Sequence, residues 1–541
     1  MLDLSTLAAW PTISRYLFGS RFYAWTLAAK IPERLRTTPP HTWPGDPAAA
    51  IPFLDTPSLL PGITKALDDL PWHGLRDHDP KAEMYHRFSW LTDLHAVGTE
   101  AARKRSQTLL ASWMFDQGHW QPLSWRPDIL GERLSQWFIY HDFLTTDLDD
   151  KVRARFRELM IRQAQHLRRV VGAPPRDDRL LSAVKGLIYC GICLPDFESV
   201  LPIGLSRLER IIEKQILPDG GHVSRNPSLM LRLLRLFIEL RALLVTGQIE
   251  TPESLQGAID RMGPILRCLR LGDGSLALFN GGTEETNDSI NLTFMQSGAK
   301  AKAIINAPHS GYQRLAARRT VMLLDTGAPP PAPFDRHAHT APLSFELSVG
   351  KDRLIVNCGS FLGADPAWRA ALRATAAHSS LTVNDTNAVE TASNGKVLSK
   401  NLLVDFTRRE SEGNIWLEAS HSGYGKRFNI LHKRRLYLAA DGEDIRGDDE
   451  LTGAVDGAFA IRFHFHPDIR VSLIQDGSAA LMQLKNGMGW RLRVNGGLLS
   501  LDDSIYFGDG WLPRRSRQAV ISGTLGPDGV LVKWRLDHVK S

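Results

Sequence analysis

The spacing of apolar residues changes once along this chain, and that change limits the folds open to it. Up to about residue 315, apolar positions recur with the period of a helix face. The segments 100–114, 126–143, 149–171, 179–194, 199–216, 227–244 and 253–271 carry this pattern, with Gly-Gly or Pro at several ends. Beyond about 316 the apolar residues alternate with polar ones, as in strands. Such runs occupy 319–325, 343–349, 353–358, 380–383, 414–420, 434–440, 459–466, 480–485, 490–494, 519–524 and 529–536. Turn signals such as Asn486-Gly and Pro527-Asp-Gly separate them. A stiff Pro-Pro-Pro-Ala-Pro stretch, 329–333, falls near the change. Helices followed by strands, without interleaving, predict an α+β multidomain chain. The expected division is a Pro- and Trp-rich arm over 1–80, a helical domain over 81–315 and an antiparallel β-sandwich over 316–541.

At 541 residues the chain is too long for one ordinary core. Its apolar fraction of 43% and charged fraction of 23% are those of a globular protein. The net charge of +6 suits an acidic ligand through electrostatic steering. No run of Lys and Arg interleaved with aromatics reads as a nucleic-acid site. No uninterrupted apolar run reaches bilayer length, so no integral membrane segment is expected. The first residues lack a basic start and a long apolar run, which predicts a cytoplasmic protein. Residues 14–36, with Phe18, Phe22, Tyr23, Trp25 and Leu27, read as an amphipathic helix docked on the body. Cys190, Cys193, Cys268 and Cys358 read as core thiols, because the lone Cys-x-x-Cys has no second pair.

Histidines cluster at the ends of short strand-like runs. The chain offers His337-Ala-His339, then Ser344-Phe345, Asn357-Cys-Gly359 and Ala377-His378-Ser379. Further blocks are Asp219-Gly-Gly-His222-Val-Ser-Arg225-Asn226-Pro227, Gly272-Asp-Gly-Ser275 and Arg462-Phe-His464-Phe-His466-Pro467. Together, over about residues 215–470, these resemble the heparinase II/III-like polysaccharide lyases. The resemblance implies an N-terminal α/α toroid (an incomplete helical barrel) joined to a C-terminal antiparallel β-sandwich. It also implies β-elimination on a uronate-containing acidic polysaccharide, with no required cofactor. In the family's terms His222 becomes a carboxylate-side residue and His337 a catalytic histidine. The block around Ser275 lacks the expected tyrosine, and Tyr312 is the substitute for its phenol. Some relatives hold zinc in the β-domain. The matching positions here are His339, Asn357 and His378, and the amide of Asn357 predicts less than one tightly held ion per chain. Family members usually work in the periplasm or cell envelope, which is the alternative location.

Elimination beside a uronate needs a neutraliser for the carboxylate, a base for the adjacent proton and an acid for the leaving oxygen. Arg225 and Asn226 open a predicted helix, where an anion is favoured; capping by Asn226 and an ion pair of Arg225 are the competing reading. Trp125 and Arg126 offer a stacking face and a cation for acidic sugars, and Asn280 adds a polar group beside Glu284 and Glu285. Three functions follow: a lyase, a glycan- or envelope-binding protein on a catalytically degenerate lyase scaffold, and a hydrolase using the loop carboxylates.

Overall fold

A computed structural model describes residues 16–54, 80–173, 176–392, 395–399, 402–453 and 457–539. It divides into two compact units, Met1–Glu213 with Leu236–Gln256, and Lys214–Arg235 with Gly257–Ser541.

The first unit is built from consecutive helices, among them Glu100–Gln117, Pro127–Ile139, Asp150–Val170 and Leu180–Cys193. Their starts are capped as the sequence directs. The Thr99 side chain accepts from the Ala102 N–H, and Asp149 accepts from the Lys151 and Val152 N–H groups. Pro127–Ile139 and Leu180–Cys193 approach closely because two glycines meet. A Cβ on Gly186 would lie 2.2 Å from the Gly131 Cα. Arg133, fully buried, lies over the Trp113 ring at 4.4 Å and donates to the His86 and Ser124 carbonyls. The short helix Arg21–Thr26 docks through Tyr23, whose hydroxyl meets His166 Nδ1 at 2.6 Å, while Phe22 and Trp25 stay exposed. All four cysteines are free and buried, and burial pushes their thiol pKa values up, to about 12 for Cys268 and Cys358. Among the described residues no helix is long and apolar enough to cross a membrane.

The second unit carries the strands: β1 (Asn306–Ala307), β2 (Tyr312–Ala317), β3 (Thr320–Asp325), β4 (Phe345–Val349), β5 (Asp352–Val356) and β6 (Leu381–Val383). There follow β7 (Val404–Ser411), β8 (Asn414–His421), β9 (Leu431–Leu438), β10 (Asp444–Thr452), β11 (Gly457–Phe465) and β12 (Arg470–Ile474). The series closes with β13 (Ala479–Gln483), β14 (Gly489–Asn495), β15 (Leu498–Tyr506), β16 (Arg514–Leu525) and β17 (Val530–Val539). They form two antiparallel sheets. One runs β1-β2-β3-β4-β5-β11-β16-β15, with β6 also paired to β11; the other runs β12-β13-β14-β17-β10-β9-β8-β7. One apolar cluster drawn from both sheets, including Phe345, Phe463, Leu436, Leu492 and Trp534, is the sandwich core. Buried and open residues alternate strictly in β8, β9 and β10; the runs read at 414–420 and 434–440 fall on the first two, whereas β10 buries Gly447 and Asp449 and shows no apolar alternation in the sequence.

Candidate functional site

The second unit gathers the motif residues on four loops, 217–226, 279–283, 335–340 and 373–379. Asn226 caps the helix Pro227–Thr246: its Oδ1 accepts from the Leu229 N–H at 2.9 Å, and Pro227 occupies the first helical position. The amide nitrogen of Asn226 is turned toward Gly281. A Cβ on Gly281 would lie 2.9 Å from Asn226 Nδ2 and 2.6 Å from His337 Cβ. The φ of Gly281 is +90°. Only glycine fits that backbone and that gap, and its absent side chain lets Asn226 and His337 share one recess.

His337 is exposed to solvent and is not part of a strand; it sits in a turn over 335–338. Arg336 Nε donates to His337 Nε2 at 3.1 Å. Enclosure by the recess, then the positive charges of Arg336, Arg373, Arg369 and Arg232, lower its pKa to about 3. The imidazole is therefore neutral at pH 7, in a basic surround. Two residues on, His339 is buried. In a strand, residues two apart share a face; here the backbone turns, and His337 is exposed while His339 is buried.

The other two expected site residues, the phenol of Tyr312 and the carboxylate-side His222, are sealed. The Tyr312 side chain is 0% exposed; its hydroxyl donates to the Arg225 carbonyl and accepts from Asn280 Nδ2. Tyr312 opens β2, opposite Asp325 of β3, so its side chain is held within the second unit rather than in a loop. Burial raises its pKa well above the usual phenol value, against the pull of Arg225. His222 is likewise 0% exposed. Its Nδ1 accepts from the Ser224 backbone N–H, which requires Nε2–H to donate to Gln215 Oε1. Burial lowers its pKa to about 3. Arg225, with φ +57°, pairs with Asp325 and donates to the carbonyls of Ser310, Gly311, Gly327 and Ala328. That guanidinium is spent inside the fold and presents nothing to a substrate. Asn280 is 2% exposed and bridges Tyr312 to the His339 backbone N–H. In the first unit, Trp125 is buried and donates to the Gln117 carbonyl, while Arg126 pairs with Asp128 and Glu83. Of the substrate-side candidates, Asn226 alone is placed beside His337.

The zinc candidates form a hydrogen-bonded chain instead of a ligand set. The Ala374 carbonyl can only accept, so His378 Nδ1–H donates to it at 2.8 Å. His378 Nε2 lies 2.7 Å from His339 Nδ1, to which the Asn280 N–H also points at 3.1 Å. His339 Nε2 faces the Gly281 N–H and the Ser360 hydroxyl. Asn357 Oδ1 accepts from the Ser379 N–H, and its Nδ2 finds no partner in the interior. Among the described residues no group of three or more His, Cys, Asp or Glu side chains could hold a metal ion. The residues do not fit zinc. Burial keeps both imidazoles neutral, lowering His378 to about 4 and His339 well below the usual range.

Gly281, Arg232, Arg336 and Arg369 are the contributors the motifs did not single out. The Asn280-Gly-Gly run is a turn signal that pointed to the first of these; nothing in sequence spacing links the arginines to His337.

Comparison with known proteins agrees with this architecture. The family model for the heparinase II/III N-terminus matches residues 69–300, and that for the heparinase II/III-like C-terminal domain matches 299–535. A solved heparinase III superposes with a TM-score of 0.73 at 14% identity, covering 99% of this chain and 92% of its own. The heparan sulfate lyase HepC from Pedobacter heparinus gives 0.60 at 16% identity, covering 99% and 88%. These likenesses establish a fold of helical domain plus two-sheet sandwich, the toroid-and-sandwich architecture of those enzymes. The FtsZ-localized protein C of Caulobacter vibrioides is 31% identical over 546 residues, covering 97% of this chain and 94% of its own length. On these matches across nearly its whole length, the chain belongs to the heparinase II/III-like family.

Proposed function

We propose that this protein binds an acidic glycan in the His337 recess and does not cleave it, using a lyase scaffold whose elimination chemistry is incomplete. The observation that carries this reading is the sealing of Tyr312 and His222. An acid–base group must reach the proton it transfers, and both are bonded into the interior with no exposed surface. What remains open is a neutral imidazole with the exposed Arg336 and Arg232 around it, above the buried Asn226 amide, a set suited to holding a carboxylate. Calorimetry with oligogalacturonate and heparan oligosaccharides tests the binding, and near-ultraviolet absorbance of unsaturated uronate tests turnover. Loss of the recess's share of the binding in His337→Ala, with no absorbance change in the wild-type protein, is the expected result. Steady release of unsaturated product by the wild-type protein overturns it.

One observation favours a second reading. His337 is exposed and unprotonated at neutral pH, as a general base must be. A lyase working with this single histidine would give turnover that His337→Ala abolishes. The relative named for localisation with FtsZ supports a further proposal, that this chain is recruited with FtsZ and resides in the cytoplasm. Imaging of a fluorescent fusion tests recruitment, and fractionation of untagged protein tests location. Diffuse signal or periplasmic recovery would reject them.

A further inference from the structure

We propose that the outer face of the β7–β14 side of the second sheet is a separate binding site for an acidic oligosaccharide. Strand register places six residues in one row across it: Arg409, Trp416, Tyr437, Arg446, Arg535 and Arg493, from β7, β8, β9, β10, β17 and β14 in turn. Adjacent strands are about 4.8 Å apart, so the row spans about 24 Å. A surface cavity of about 610 Å³ lies over it, lined by Trp416, Tyr437, Arg446, Arg493 and Arg535, with Lys533 and Arg435 from the neighbouring row.

The chemistry of the row is ordered. Trp416, 39% exposed although aromatic, meets Tyr437 with ring centroids 5.2 Å apart. Both point outward from a sheet whose inner face already holds the core; Arg409 lies over the Trp416 ring at 5.9 Å and Arg446 over the Tyr437 ring at 5.5 Å, so each ring is set beside a guanidinium. Aromatic faces of this kind stack on sugar rings while a hydroxylated or charged edge is bonded alongside. The cations are positioned from below. Arg446 and Arg535 both bond Asp444, at 2.6 and 2.8 Å, and Arg493 bonds Asp537 at 3.0 Å. These acids lie one register step away and hold the guanidiniums in place, while the cavity itself is lined by five cations and the single acid Asp448. Lys533 makes no ion pair among the described residues. An elongated anion with apolar ring faces, a run of uronate sugars, satisfies both halves of the row. A neutral glycan would leave the guanidiniums unused, and a nucleic acid would need cations spread along its backbone rather than gathered beyond two rings.

The test uses the full chain carrying His337→Ala, which silences the recess described above and separates failure of this site from failure of that one. Oligogalacturonate is titrated by calorimetry, with a cello-oligosaccharide and a single-stranded DNA oligomer as comparators. Residual oligogalacturonate binding is expected. Adding Trp416→Ala or Tyr437→Ala should weaken it roughly five- to tenfold, and Arg446→Gln should weaken it and flatten its dependence on salt. Melting temperature is followed for each variant; Arg493→Gln, at the far end of the row, gives the same reading if an aromatic substitution disturbs the sheet. No residual binding, unchanged affinity in both Trp416→Ala and Arg493→Gln, equal affinity for the neutral oligomer, or tighter binding of DNA would each overturn the proposal.

Discussion

Gly281 separates Asn226 from His337 by the width of a single hydrogen. Gly281→Ala would place a methyl 2.6 Å from His337 Cβ, at a φ of +90° that alanine rarely adopts. We expect it to cost about 1–3 kcal/mol in denaturant unfolding and to displace His337 enough to abolish glycan binding at the recess. His337→Ala, by contrast, should leave the melting temperature nearly unchanged, because the side chain it removes is exposed. Equal destabilisation by the two substitutions would show that the recess is part of the core. At this scale the sequence was informative about loops and silent about directions. The blocks at 219–226, 280–283 and 337–339 do meet in one place. Which of their side chains face water depends on bonds to distant residues: Tyr312 is held by the Arg225 carbonyl, and Arg225 by Asp325. No local pattern records either pairing.

Among elements, the loop before the helix Pro227–Thr246 is fastened to the β2–β3 region by Arg225. Removing that guanidinium leaves Asp325 buried without its cation. Arg225→Met is expected to destabilise by about 3–5 kcal/mol, the cost of an uncompensated interior charge, measured by urea unfolding. A loss under 1 kcal/mol would mean that the clasp is dispensable. Helix and strand types were legible because their periods are 3.6 and 2. β1, β2, β7, β10, β12 and β15 were not read from the sequence: β1 has two residues, and runs such as Tyr-Gln-Arg-Leu-Ala-Ala and Asp-Ile-Arg-Gly-Asp-Asp-Glu carry little apolar alternation. The place of β1 and β2 in the sheet comes from the pairing of β1 with β2 and of β2 with β3.

For the molecule as a whole, buried ionisable groups set a pH window. Burial depresses the pKa values of His86, His166, His222, His378 and His464 to about 3 or 4, below the unfolded value near 6.5. The unfolded chain binds these protons first, so the stability these groups contribute is complete above about pH 6.5 and is lost as the pH falls toward 4. Glu346 acts in the other direction. Burial raises its pKa to about 7, above the unfolded value near 4.5, so the folded state holds the proton longer and stability declines as the pH rises between those values. Thermal unfolding should therefore be steepest in its decline on the acid side, where five groups act against one. Glu346→Gln should raise stability by about 3 kcal/mol at pH 8 and change it little at pH 4.5. A gain of the same size at both would contradict the assignment.

The interior of the second sheet has a bearing on its exterior. On β9, the inward His432 and Arg434 alternate with the outward Arg435 and Tyr437; Asp449 of β10 receives both inward groups and the Trp534 indole N–H. Sliding β9 by one residue would turn Arg435 and Tyr437 into the core, cast Leu436, Leu438 and Arg434 out, and take His432 from Asp449. Only one alignment of these strands satisfies the inside, and that same alignment is the one that lines up six residues outside. The buried aspartate works like the notch in a keyed plug: it takes no part in any contact the outer face makes, yet it admits a single seating, and the face that meets the world is correct because the hidden one could fit no other way.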